Sequence, residues 1–118
     1  MGVDYGWEKF FSSIHYAVTS TERLQQRLQV VVKEIDGLRR DSFPRDETYE
    51  RFEKLMTATK MLPSTGNEGR LVATTSQMEE SEAKQWLQEA VAIFSDVAQA
   101  YGNERARPTS FPTYPQNA

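Results

Sequence analysis

From Trp7 to Leu38 the apolar positions Trp7, Phe10, Ile14, Ala17, Leu24, Leu28, Val31, Ile35 and Leu38 recur at spacings of three and four, with Thr21 in the remaining slot. Residues spaced in this way line one face of an α-helix, at the a and d positions of a heptad. With Trp7 at a, the e positions hold Phe11, Val18, Gln25 and Val32. The stripe is therefore wider than a two-stranded seam and fits a helix that meets two neighbours. The g positions, Ser13, Ser20, Arg27 and Glu34, carry too little charge to specify a parallel zipper. The pattern predicts one long amphipathic helix from about Trp7 to Leu38, or two nearly collinear ones. A break has its natural place at Thr19-Ser20-Thr21-Glu22, where β-branched and hydroxyl residues lower helix propensity and Thr19 with Glu22 matches a capping box. Gly37 and the pair Arg39-Arg40 suit a helix C-terminus, because cations favour the negative end of the helix dipole.

Ser42-Phe43-Pro44 then interrupts the periodicity, and Asp46-Glu47 opens a second helix with Tyr49, Phe52, Leu55, Met56, Thr59 and Leu62 on its apolar side. Pro63 stops it. Residues 63–75, with Gly66, Asn67 and Gly69, read as a loop long enough to be either functional or poorly ordered, and Leu71-Val72-Ala73-Thr74 as a short extended piece within it. Ser76-Gln77-Met78-Glu79 matches a capping box before a third helix, which is expected to bury Ala83, Trp86, Leu87, Ala90, Val91, Phe94, Val97, Ala98 and Tyr101 and to stop at Gly102-Asn103. These elements predict an all-α fold: an antiparallel helical bundle of three helices, or four if the first breaks near Ser20, completed by dimerisation. One helical domain is expected over residues 1–102. Residues 103–118, with Pro108, Pro112 and Pro115, are expected to form an extended or disordered tail.

Bulk properties narrow the function. Hydrophobic residues make up 38% of the 118, slightly low for a compact monomer, which agrees with an elongated shape or a polar tail. A formal net charge of -3 offers no general attraction to nucleic-acid phosphates. The absence of cysteine removes disulfides, thiolate metal sites and cysteine nucleophiles, and is consistent with a cytoplasmic location. No membrane span is expected, since no 18-residue apolar run occurs, nor a secretory start. Gly6 stands where an N-myristoylation start needs Ser or Thr.

Candidate chemistry is thin. His15, the one histidine, falls at a b position away from the stripe, no nucleophile elbow accompanies it, and Ser12 occupies the place of the Glu in a di-iron Glu-x-x-His motif. Met56, Met61 and Met78 read as core or boundary packing, and Glu79, Glu80 and Glu82 as helix N-terminal charge. No catalytic residue, metal or cofactor is expected. The loop residues Gly66, Asn67, Gly69 and Arg70 offer amides and a guanidinium to an anion or a partner but lack the Walker lysine and spacing. Arg39, Arg40, Arg45 and Arg51 interleave with Asp41, Asp46, Glu47 and Glu50, as on a solvated ion-pair surface. Pro112-Thr-Tyr-Pro115 is a bare PxxP without the usual basic residue.

The aromatic residues are more informative. Tyr5, Trp7, Phe10, Phe11 and Tyr16 cannot share one face of one helix, and Tyr16 and Val30 both fall at c positions off the stripe. Such residues mark an association surface, for which Trp7, Phe10, Phe11, Ile14, Tyr16 and Val30 are the candidates. The expected function is a non-enzymatic protein-protein interaction module, an adaptor, regulator or inhibitor of a partner protein, self-associating as a homodimer. The alternative is a small-ligand or anion sensor, or an accessory enzyme subunit, using the bundle interior near Trp7 and Trp86 or the 63–75 loop.

Overall fold

Four residues, Ser20 to Arg23, separate two helices where the periodicity reads as one rod. In the computed structural model, which describes residues 2–106, α1 (Val3–Thr19) is followed by α2 (Leu24–Ile35), α3 (Asp46–Ala58), α4 (Gly69–Ser76) and α5 (Glu80–Ala106). A single 3₁₀ turn, Arg40–Ser42, precedes α3, and no strand occurs among the described residues. Residues 103–106 of the expected tail belong to α5, and the PxxP with the rest of 107–118 lies outside the described residues.

The expectation of collinear helices is corrected at the first turn. Lys9, early in α1, pairs with Glu34, late in α2, at 3.7 Å, and Arg27 Nη1 donates to the Ala17 carbonyl at 3.4 Å. α2 therefore runs back along α1. The capping box does not form: the Thr19 hydroxyl donates to the His15 carbonyl at 2.8 Å and so belongs to the end of α1. Ser20 Oγ instead accepts the Glu22 amide at 3.0 Å. Arg27 Nε also donates to the Glu22 carbonyl at 2.7 Å, so one guanidinium clasps the turn and neutralises carbonyls left unpaired at the C-terminus of α1.

α5 runs antiparallel to α1, because Tyr101 stacks on Trp7 and Phe94 lies against Phe10. α3 in turn runs antiparallel to α5, held by a charged network that sequence spacing could not assign. Arg51 Nε and Nη2 grip the two Glu89 oxygens at 2.8 and 3.1 Å, while Arg45 Nη2 and the Thr48 hydroxyl both donate to Asp96 Oδ2 at 3.1 Å. The Glu89 hydrogen bonds raise the Arg51 pKa further above its ordinary value. Of the arginines expected to form a local ion-pair surface, Arg40 pairs with Asp46 at 2.8 Å and Arg45 with Glu47 at 2.9 Å, while Arg45 and Arg51 also reach across to α5.

The core draws on every helix: Phe10, Leu28, Val31, Val32, Ile35, Phe52, Leu55, Ala73, Ala83, Ala90, Ile93 and Val97 are buried. Phe43, just after the 3₁₀ turn, joins it, its ring 4.7 Å from Phe52 and edge-on to Phe10 at 6.2 Å. That turn lies tight against α1. A Cβ on Gly6 would sit 2.8 Å from the Ser42 carbonyl oxygen and 2.9 Å from its Cβ, so only glycine permits the approach. The buried Ser42 hydroxyl has no hydrogen-bond partner among the described residues.

Several local expectations are corrected. Leu71-Val72-Ala73-Thr74 is helical within α4, whose buried Thr74 hydroxyl accepts the Leu62 amide at 2.8 Å and whose Thr75 hydroxyl donates to the Leu71 carbonyl at 2.8 Å. Ser76 ends α4 instead of capping α5, and the short link between them is pinned by Gln25 Nε2, which donates to the Met78 carbonyl at 3.1 Å. On α5 the buried line is Ala83, Ala90, Ile93 and Val97, whereas Val91 is 47% exposed. Gly102 does not stop α5, which continues to Ala106 with Arg105 over the Tyr101 ring at 5.4 Å. Met61, expected in packing, is 68% exposed. Among the described residues no helix is long and apolar enough to cross a membrane.

Candidate functional site

Aromatic side chains of α1 fall at Trp7, Phe11 and His15, four residues apart and therefore stacked along one edge of the helix. α5 extends that edge. The Tyr101 and Trp7 rings lie 4.5 Å apart and 9° from parallel, Trp7 and Phe11 5.0 Å apart and 14° from parallel, and the His15 ring follows at 6.0 Å from Phe11. The four rings form a ladder across the seam between the first and last helices.

Beyond the ladder the same seam opens into an apolar groove of about 650 Å³, walled by Ile14, Ala17 and Val18 of α1, Leu24 and Arg27 of α2, and Lys84, Leu87, Gln88, Val91, Ala92 and Ser95 of α5. Within the groove Val18 is 71% exposed and Val91 47%, and Phe11, one turn before Ile14 on α1, is 47% exposed. Exposed large apolar side chains gathered on one face mark an association site more specifically than the same residues scattered. The two charged residues of the groove wall, Arg27 and Lys84, are both cationic.

Of the residues singled out from sequence, Trp7, Phe11 and Ile14 come together on this seam. Phe10 does not: it has no exposed surface and lies among Phe43, Phe94 and the α2 residues, where no partner reaches it. Tyr16 is half-buried, and Val30, on α2, is exposed away from the groove wall. Val18, Leu87, Val91, Lys84 and Tyr101 carried no functional signal in the sequence, because a periodic pattern assigns Leu87, Val91 and Tyr101 to the interior and Lys84 to solvent. Trp86 lies half-buried in a second groove of about 540 Å³ with Glu50, Glu53, Lys54 and Met61, not in the interior.

The 63–75 segment closes on itself. Ser64 Oγ accepts the Gly66 and Gly69 amides at 3.3 and 3.2 Å and donates to the Gly66 carbonyl at 2.7 Å. Glu68 Oε2 accepts the Thr65 amide at 3.0 Å and its hydroxyl at 3.1 Å. Loop amides that would meet an anion at Gly66, Asn67, Gly69 and Arg70 are thus partly occupied by the loop's own acceptors. The Thr65 amide, followed by Glu68's own, draws the Glu68 pKa below its ordinary 4.5. A depressed carboxylate supports the folded loop above its unfolded pKa and loses that support as pH falls through the folded value. In an NMR titration the Glu68 carboxyl should therefore show a midpoint below 4.5, with the Thr65 amide shift following it; a midpoint at or above 4.5 would show the loop to be open.

Among the described residues no group of three or more His, Asp or Glu side chains is placed to hold a metal ion. No family model matches this chain, and no characterised protein or solved structure shows significant similarity to it.

Proposed function

We propose that this chain is a non-enzymatic protein-docking module, an antiparallel helical bundle that leaves one apolar seam uncovered, and that the α1–α5 seam is its docking face. The observation that carries the proposal is the exposure of Val18 and Val91 in one groove, with the exposed Phe11 seven residues before Val18 on α1 and part of a ladder of stacked rings. Aromatic residues packed by their neighbours lose little side-chain entropy on binding, which makes Trp7 and Phe11 efficient anchors. The role of such a module is that of an adaptor, regulator or inhibitor acting through contact.

A photo-crosslinking residue placed at Phe11 or Val91 in the cells that make the protein tests this directly. Covalent protein adducts should form from both positions and not from Lys33, exposed on α2. Equal or absent labelling from all three would remove the seam from consideration.

The size and apolar wall of the groove also favour a second reading, a small amphipathic ligand with an anionic end beside Lys84 and Arg27, since small-molecule clefts span roughly 300–1,000 Å³. A screen of anionic amphiphiles read by melting temperature and tryptophan fluorescence separates the two, because Trp7 stacks on Phe11 along the same helix whose Ile14 and Val18 wall the groove. Saturable stabilisation by a small molecule favours the ligand reading.

A further inference from the structure

We infer that the groove on the α1–α5 seam has an occupant within the chain itself, the segment 107–118, which an outside partner must displace; the inference rests on the docking role proposed above. One flank of α5 leads straight from the groove to the end of the helix. Val91, Ser95, Ala98 and Gly102 follow one another at spacings of three and four and so lie along one line, and the next step of four reaches Ala106, where α5 ends. Val91 and Ser95, both exposed, belong to the groove wall. Beyond them the line carries only small residues. Ala98 is half-buried, Gly102 is exposed, and a Cβ added to Gly102 would meet nothing within 4 Å. The Arg105 guanidinium is drawn to one side, over the Tyr101 ring at 5.4 Å.

Length and direction both suit a return along this line. Pro108 cannot join a further turn of α5, because its ring lacks an N–H and collides with the carbonyl four residues before it. The chain therefore leaves the helix axis at the end of the flank that leads to the groove. Val91 stands about 22 Å back from Ala106 at 1.5 Å per residue. A proline-rich extended chain advances about 3.1 Å per residue, so after a reversal at 107–108 Phe111 comes back roughly 9 Å, between Gly102 and Ala98, and Tyr114 roughly 19 Å, between Ser95 and Val91. The segment is long enough to bring an aromatic ring to the groove.

Its chemistry matches what it would cover. Phe111, Pro112, Tyr114 and Pro115 offer rings to Val18 and Val91, and residues 107–118 include no acidic side chain and a single cation, Arg107, at the near end. The apolar wall would thus be covered without a buried, unpaired charge. Proline-containing segments dock against apolar and aromatic side chains at low ordering cost, because proline has little backbone freedom to lose. Tethering adds to this. An attached segment acts at an effective concentration in the millimolar range, so contacts too weak to hold a free peptide suffice to keep the groove occupied.

The chain has no cysteine, so Gln116→Cys provides a single site for a spin label on the full protein. With the label attached, the methyl signals of Val18, Leu87 and Val91 should broaden strongly, while those of Val30 and Met61, outside the groove wall, keep their intensity. Adding Phe111→Ser with Tyr114→Ser should restore the lost signals without lowering the melting temperature. The same two serines should raise several-fold the yield of intermolecular adducts from a crosslinker at Val91. No broadening, or broadening that survives the serines, overturns the inference. So does broadening seen only between molecules when spin-labelled and isotope-labelled chains are mixed, since the occupant would then be a second copy. If the signals respond as expected but the adduct yield does not rise, displacement by a partner fails. If the segment is absent from the groove while Phe11 and Val91 still capture a protein, self-occupancy fails and the docking role stands. If the signals respond and no protein is captured with or without the serines, the docking role fails and the segment simply completes the fold.

Discussion

Phe10→Ala is expected to destabilise the fold by about 3–5 kcal/mol, the range for removing a fully buried aromatic ring, whereas Phe11→Ala should cost less than about 1 kcal/mol. The two residues are neighbours of the same type, and only their placement differs. Phe10 has no exposed surface and supports Phe43 edge-on and Phe94 on a second side, so truncation opens a cavity among rings that cannot all close over it. Phe11 is 47% exposed and gives up one stacking contact with Trp7 and a looser one with His15. The binding effects should run the other way, with Phe11→Ala weakening whatever association the chain makes. Chemical denaturation of the two variants beside a binding measurement checks both halves. Comparable loss of stability in both would mean that the outer edge of α1 is covered within the monomer.

Gly6→Ala should cost about 1–3 kcal/mol, the usual penalty of forcing an extra carbon into a packed contact. Alanine normally improves a helix interior by up to about 1 kcal/mol over glycine, so the sign itself is diagnostic. Here the added Cβ would meet the Ser42 carbonyl oxygen at 2.8 Å, and backbone cannot swing away as a flexible side chain would. α1 would have to lift off the 3₁₀ turn, loosening Phe43 from its place beside Phe10 and Phe52. In a domain of this size each kcal/mol lowers the melting temperature by roughly 4–8 °C. Gly102→Ala is the control: its Cβ would meet nothing within 4 Å, so the same substitution on α5 should be neutral or slightly stabilising. A Gly6→Ala protein as stable as wild type would show that the turn does not press on α1.

The apolar stripe was legible because a helix must turn the same face to its neighbour at every turn, and that face is written at spacings of three and four. Direction is not written there. Ser20 to Arg23 take up about one helical turn, so two helices folded back on each other keep the same phase as a rod, and Trp7 to Leu38 reads identically in either case. What distinguishes them is the clasp of Arg27 on the Glu22 and Ala17 carbonyls, a contact made only after the chain has reversed. α4 was missed for a related reason. Its threonines have low intrinsic helix propensity, and Thr74 and Thr75 are accommodated by burial and by bonds to Leu62 and Leu71. On α5 the neighbours lie on more than one side, so the buried arc shifts to include Ile93 and to release Val91, which a one-sided stripe would bury. The seam was legible in half: the α1 ring positions show a surplus of aromatics, but the α5 wall is set by which flank of that helix remains uncovered.

The ladder from Tyr101 to His15 joins residues near opposite ends of the described chain. α1 and α2 are joined by a short turn and can meet early, with little loop-closure entropy to overcome, whereas α5 must return across everything in between. The proposed docking face is therefore complete only after the last helix has been placed. Any partner that engages it binds the finished fold and not its precursors, and by mass action holds that fold together. For a chain of this size, association would act at once as a proofreading step and as a source of stability.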